Sequence, residues 1–349
     1  MNATTNYFAE ARKRRSQELL LVLGSEAKCR IQKSWVSLGD SPVLLSEWNQ
    51  VLKALLKSDQ MQRLEREGSL EGCAQMSDGF RTSYSIFQSH DCFKAHFCFE
   101  PLNVFETELS LPNVFLETVS RRQGLILLAG PVHPYKTNTL AQTLFRLNKD
   151  HAFHGAVYSR QAFPGIPEDK ASFVYQSAAV DDAGENGLFS GADVVVLHET
   201  VTAKSLAQAM DLCDEGKMVL MTIASNSLMS AFHKCLELIS TKPNPHSLWR
   251  FAEHLKLAMS QHPMASLSDD TILGFEMLLN TPQVKSGIGQ GQLSSVEGLL
   301  NAQQETSGVL ALNQSLLQLL IRRRIDIKQA FLVTHDPDGL DQLLKKVGI

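Results

Sequence analysis

The chain of 349 residues contains no CxxC pair, no G-x-S-x-G elbow and no apolar run long enough to cross a bilayer. Without paired cysteines, the six thiols at Cys29, Cys73, Cys92, Cys98, Cys213 and Cys235 suggest neither a zinc ribbon nor a disulfide framework, and they read as reduced structural groups. Lacking the elbow, the sequence offers no serine nucleophile of the hydrolase type. Residues 1–17 hold no signal-peptide core, so a cytoplasmic location is expected. A formal net charge of -4 supplies no general attraction to nucleic acid, and basic residues are not interleaved with aromatics. With 44% apolar and 20% charged residues over this length, the expectation is a globular protein of two domains.

The most informative stretch spans residues 124–147. Leu125, Ile126, Leu127, Leu128 and Ala129 form an apolar run that reads as a buried parallel strand. From Thr139 onward, Leu140, Leu144 and Leu147 recur at helical spacing. A strand, a loop and a helix make the phosphate-loop arrangement. Gly130, Lys136 and Thr137 satisfy the G-x-x-x-x-G-K-[ST] pattern, but Tyr135 stands where the second glycine belongs. Such a loop turns backbone N–H groups toward a phosphate, adds a lysine charge and offers a hydroxyl to Mg²⁺. Here Pro134 has no N–H to donate, and Tyr135 puts a ring beside the nucleotide's place.

Upstream, the basic run Arg12-Lys13-Arg14-Arg15 reads as a solvated helix end, with a membrane-surface or partner contact as the alternative. Residues 29–39, 79–87 and 93–101 have strand character, and 46–67 reads as one helix capped by Ser46 and closed near Gly68. These elements make an α+β domain over 1–101. In the remaining domain, 102–349, strands at 155–159, 172–176, 192–199 and 217–225 alternate with helices at 202–216 and 227–240, giving a mostly parallel α/β sheet. Residues 249–262 read as helical, and 271–279 as one more strand. The glycine-rich piece at 287–291 reads as a turn inside a mobile stretch, 311–334 as helical, and Asp336 as the cap of a last helix.

Taken together, residues 17–24 with 29–40, 121–131, 192–199, Ser260-Gln261 and 308–340 resemble, in order, the type IV pilus retraction ATPases of the PilT kind within the secretion-traffic ATPase family. The resemblance implies a PAS-like N-terminal domain, a RecA-like P-loop ATPase domain, and a ring hexamer that shares nucleotide sites between neighbours. It assigns Gly130, Lys136 and Thr137 to the phosphate loop and Glu199 to the Walker B carboxylate, with ATP and Mg²⁺ as the implied cofactors.

At other positions the chain departs from the family. His133 and Tyr135 replace loop glycines, Ser159 and Arg160 stand for the Glu-Asp pair of the Asp box, and His198 replaces the glycine before Glu199. Val201 and Thr202 replace a basic and acidic pair, Ala224 a histidine, and Cys98 a phosphate-facing arginine. Each missing group serves metal placement, water activation or charge stabilisation, and losing one costs on the order of a hundredfold in rate. The expectation is a PilT-like pseudo-ATPase, a structural or regulatory member of a homo- or hetero-oligomeric ring. Its partners would be an active pilus motor ATPase or the inner-membrane platform protein, placing it in the cytoplasm or peripherally at the inner membrane. The alternative is a divergent but working retraction ATPase that uses Lys136, Thr137 and Glu199, and a third reading is a switch that binds nucleotide without hydrolysing it.

Metal sites are discounted. His90, His96, Cys92 and Cys98 lie on a strand-like segment whose alternation sends neighbours to different faces. His151 and His154 read as a loop into a strand, and Asp181, Asp182 and Glu185 as a solvated acidic loop.

Overall fold

Alternation of apolar and polar residues builds the first sheet. Leu19 and Leu21 on one strand and Ala95, Phe97 and Phe99 on another all turn to the same buried side, while Glu18, Leu20, His96 and Cys98 face the other way. In the computed structural model the described residues are 3–31, 34–76, 80–100, 104–106, 109–131, 134–167, 169–177, 186–240, 246–268, 271–301 and 308–348. The chain divides into two units: Met1–Glu108 with Tyr158–Pro167 and Tyr175–Asp182, and Leu109–Val157 with Glu168–Val174 and Ala183–Ile349.

The first unit runs α1 (Ala3–Lys13), β1 (Glu18–Val22), β2 (Glu26–Ile31), β3 (Ser34–Pro42), α2 (Leu45–Leu55), α3 (Ser58–Glu67), β4 (Ser69–Gln75), β5 (Arg81–Gln88) and β6 (Phe93–Phe99). Its sheet has the order β3-β2-β1-β6-β5-β4, every pair antiparallel. The core joins the inward strand residues to Phe8, Trp48, Val51 and Leu64, with Phe8 edge-on to Phe97 at 4.9 Å. The single helix expected over 46–67 is two. The chain becomes extended at Leu56, which is buried beside Leu55, and a second helix restarts at Ser58. Nor is Ser46 the cap: α2 begins at Leu45, and the Glu47 carboxylate accepts the Leu44 N–H at 2.9 Å. Gly68 does close α3, in the left-handed region at φ +70°.

The second run of elements is α4 (Asn113–Ser120), β7 (Gly124–Gly130), α5 (Tyr135–Asp150), β8 (His154–Ser159), β9 (Ser172–Ser177), α6 (Asn186–Phe189), β10 (Val194–His198), α7 (Ala203–Asp214), β11 (Met218–Ala224), α8 (Leu228–Ser240), α9 (His246–His254), β12 (Leu255–Ala265), β13 (Thr271–Leu279), α10 (Pro282–Gly289), α11 (Leu293–Asn301), β14 (Val309–Leu310), α12 (Leu312–Ile321), α13 (Ile327–Val333) and α14 (Pro337–Val347). The sheet order is β14-β13-β12-β7-β11-β10-β8-β9. Strands β12, β7, β11 and β10 are parallel, whereas β13 and β14 add an antiparallel edge, so the sheet is mixed.

Two sequence expectations need correction here. The helix read over 249–262 stops at His254, and Leu255 starts β12. That strand is buried along nearly its whole length, so it lacks the period-two signal that marks a half-exposed strand. The 287–291 turn is largely the end of helix α10, which Thr281 caps through its hydroxyl and Pro282 starts. Gly289 lies too close to the Trp249 ring for a Cβ to fit. Asp336 accepts the Gly339 N–H at 3.0 Å and caps α14, as expected. Among the described residues no helix is long and apolar enough to cross a membrane.

Candidate functional site

Strand β7 is buried at all seven positions and delivers the chain to the loop. Gly130 ends it at φ +144°, where a Cβ would meet the Gln261 carbonyl oxygen at 3.0 Å; glycine is required here for both conformation and space. Val132 and His133 lie outside the described residues. Helix α5 then starts at Tyr135 behind Pro134, which brings no N–H and no side-chain cap to the helix end.

Lys136 points inward rather than outward and is wholly buried. Its ammonium has three hydrogens and three acceptors: the Gly130 carbonyl at 2.7 Å, the Pro131 carbonyl at 2.8 Å and Glu199 Oε1 at 2.8 Å. Burial pulls its pKa down, and the Glu199 charge and hydrogen bond oppose that pull. Glu199 follows β10 in the left-handed region at φ +56°. Thr222 of β11 pins it twice, accepting its N–H at 2.8 Å and donating to its carboxylate at 3.3 Å. Beside it, Thr137 Oγ1 lies 3.1 Å from His198 Nε2. His198 is fully buried, and burial followed by the Lys136 charge drives its pKa down to about 3, so the ring is neutral.

The four side chains and backbone groups singled out from the sequence, at Gly130, Lys136, Thr137 and Glu199, therefore meet at one end of β7 and β10. What they form is a closed, internally paired cluster. Lys136 and Thr137 are the residues a Mg-nucleotide would need, and in this arrangement both are engaged by the protein itself.

The remaining positions carry other duties. Ser159 Oγ donates to the Gln161 carbonyl at 2.7 Å and accepts the Gln161 N–H at 3.1 Å, a local turn. The adjacent Arg160 has its Nε buried without a hydrogen-bond partner among the described residues. Asp193 accepts the His154 N–H at 2.8 Å, a structural tie. Thr202 accepts the Ser205 N–H at 3.1 Å and caps α7. Ala224 pairs in register with Gly130 and brings only a methyl group to the loop.

Sequence reasoning missed several partners. His198 ends an otherwise apolar strand, and a lone polar residue in such a run was a usable signal. Thr222 gave none, since a threonine in a strand is ordinary. Gln261 Nε2 donates to Thr139 Oγ1, locking β12 to α5, and Glu276 accepts the Leu228 N–H at 2.8 Å at the start of α8. On the first unit's sheet, His96 and Cys98 are two residues apart and so share a face, where strand alternation had been read as separating such groups.

No protein-family model matches the chain. The fold is that of the pilus retraction ATPases: a crystal structure of the pilus retraction motor PilT with bound ADP superposes with a TM-score of 0.77 at 19% identity, covering 96% of this chain and 98% of that one. By sequence the chain is 23% identical over 291 residues to an uncharacterized protein, YggR, of Escherichia coli K12, covering 79% of this chain and 84% of the relative. To the type IV pilus ATPase PilU of Pseudomonas aeruginosa it is 20% identical over 245 residues, covering 68% of this chain and 64% of the relative, just under two thirds. The resemblance read from the residues stands: the chain is PilT-like in sequence and in fold.

Proposed function

We propose that this chain is a PilT-like pseudo-ATPase, a non-hydrolysing structural or regulatory partner of a type IV pilus or related motor. The observation that carries the proposal is the saturation of Lys136. To meet a phosphate, its ammonium would have to leave two carbonyls and the Glu199 carboxylate, and Thr137 would have to leave His198. The positions that match the family's acidic pair hold Ser159 and Arg160, and a cation is no ligand for Mg²⁺. In this reading residues 1–101 are a PAS-like domain and 102–349 a RecA-like domain. The chain joins a homo- or hetero-oligomeric ring and contacts an active motor ATPase or the inner-membrane platform protein, from the cytoplasm or the membrane's inner face.

A second reading, a divergent retraction ATPase, draws on one specific fact. Lys136 and Glu199, 63 positions apart by number, meet at 2.8 Å, so the loop lysine and the acid at the end of β10 share one site. Isothermal titration of Mg-ATP into the purified chain, with phosphate release followed in the same sample, separates the two. The pseudo-ATPase reading expects no turnover above background. Turnover at the rate of an active motor that is lost in Glu199→Gln would replace it with the second reading.

A further inference from the structure

Outside the loop, the first unit holds a mixed set of metal-binding side chains. Strand register sets Glu18 of β1 opposite Cys98 of β6, and Leu20 opposite His96, so that Glu18, His96 and Cys98 stand together on the outward face of the sheet. One donor atom from each lies within 4.8 Å of the other two. Glu18 Oε2 is 3.0 Å from His96 Nε2, and Cys98 Sγ is 3.9 Å from the same nitrogen. A tetrahedral zinc with bonds of about 2.0–2.3 Å separates its ligands by about 3.3–3.7 Å. These two separations bracket that range, and the third, Glu18 to Cys98, is within 4.8 Å, so side-chain rotations bring the three donors to it.

The surroundings already hold these ligands in place. Arg30 Nη1 lies 3.0 Å from Glu18 Oε1 and 3.4 Å from Oε2, fixing the carboxylate in the manner of an outer-shell partner. The Trp35 ring meets His96 edge-on at 6.0 Å. All three residues are partly buried, and none is sealed from solvent.

We propose that Glu18, His96 and Cys98 form a site for a thiophilic divalent cation of the zinc class, with a water in the fourth position. A sulfur, an imidazole and a carboxylate together select zinc or cobalt over magnesium or calcium, which prefer all-oxygen shells. On binding, the Cys98 thiol loses its proton to solvent, Glu18 and His96 exchange their mutual hydrogen bond for the ion, and no electron is transferred. The bound ion ties β1 to β6 at the centre of the six-stranded sheet. This site is independent of the nucleotide loop and of the reading given to it.

The test is titration of Co²⁺ into the purified full chain, followed by its thiolate charge-transfer absorption. The expected result is saturation near one equivalent, displacement by Zn²⁺, loss of the band in Cys98→Ser, at least tenfold weaker binding in His96→Ala, and full retention in Cys92→Ser. Absence of the band from the wild-type chain, or its persistence in Cys98→Ser, overturns the proposal. A second measurement needs no variant: Zn²⁺ should slow alkylation of Cys98, mapped by peptide mass spectrometry, while leaving exposed Cys92 unprotected. Equal labelling of Cys98 with and without Zn²⁺ overturns it as well.

Discussion

Glu199 and Glu18 each hold a cation, the first beneath the loop between β7 and α5 and the second on the outward face of the first unit's sheet. Side-chain exposure is 0% and 8% for the Lys136–Glu199 pair, against 40% and 18% for Arg30–Glu18. In the buried pair every donor of the lysine is used, so the cluster is satisfied and has little to offer an outside ligand. The partly exposed Glu18 carboxylate, by contrast, keeps neighbours of three chemistries within reach of one point. A lysine and an acid at motif positions are thus not by themselves evidence of availability, because here the lysine's three hydrogens all meet acceptors within the chain.

The largest test of that contrast is Glu199→Gln, which leaves Lys136 buried beside a neutral group. Breaking such a pair from one side costs about 3–5 kcal/mol, and urea unfolding should register a loss of that order. The double variant Lys136→Met/Glu199→Gln should recover much of it, since burying neither charge removes the desolvation cost. A double variant no more stable than Glu199→Gln would mean that the carboxylate is held for Thr222 and the strained backbone rather than for the lysine.

Gly130→Ala acts on the loop's entry instead of its charge. At φ +144°, with the Gln261 carbonyl where the methyl would go, the expected loss is about 2 kcal/mol. Measured beside the wild type, that variant also reports whether loop geometry alone opens Lys136: faster chemical modification of the amine in Gly130→Ala would show the closed cluster to depend on the backbone.

Much of this site was legible in the sequence, and the reason differs by residue. The motif spacing located Gly130, Lys136 and Thr137, because a phosphate loop is marked by residue type, whereas Glu199 came only through the family resemblance. Which way Lys136 points was not legible, since that depends on acceptors brought together by the sheet order, which places β10 one strand beyond β7 across β11. In the fold, β2, β3, β5 and β6 of the first sheet announced themselves by alternation, whereas β1 showed only as an apolar run and β4, Ser69–Gln75, was not read. Strand β12 showed no alternation, because burial on both faces erases the period; α10 hid behind glycines that serve close packing rather than turning. Cys98 and His96 were readable as one face by their spacing of two, but Glu18 joins them only through strand pairing with β6, which no local pattern reveals.

Acid should weaken the buried cluster next. The folded chain keeps His198 neutral down to about pH 3, whereas the unfolded chain takes up its proton near 6.5. Between those values the unfolded state binds more protons, so stability falls as pH falls, by about 1.4 kcal/mol per pH unit for one such group. His262, lowered to about 4 by burial and then by the His335 charge, adds to the same slope. Glu276 works against it: burial raises its pKa despite the Leu228 N–H and the His335 charge, so the folded state binds its proton first and gains as pH falls toward 4.5. Urea midpoints between pH 6 and 5 should therefore drop in the wild type and drop less in His198→Gln. Equal slopes would assign the acid sensitivity to other groups.

Glu18→Gln should have the smallest effect. Burial alone would raise the Glu18 pKa, but its hydrogen bond to His96 and the nearby Arg30 charge outweigh that, and the net shift is downward. A depressed carboxylate stabilises the fold above its unfolded pKa and loses that contribution as pH falls through the folded value. At pH 7 the contribution is present in full, yet solvent screening at a pair this exposed limits it to less than about 1 kcal/mol. The urea midpoint of Glu18→Gln should accordingly lie close to wild type at pH 7 and coincide with it in strong acid. A loss as large as that of Glu199→Gln would show that the outward face is held together as tightly as the closed loop, and the distinction between a satisfied pair and an available one would fail.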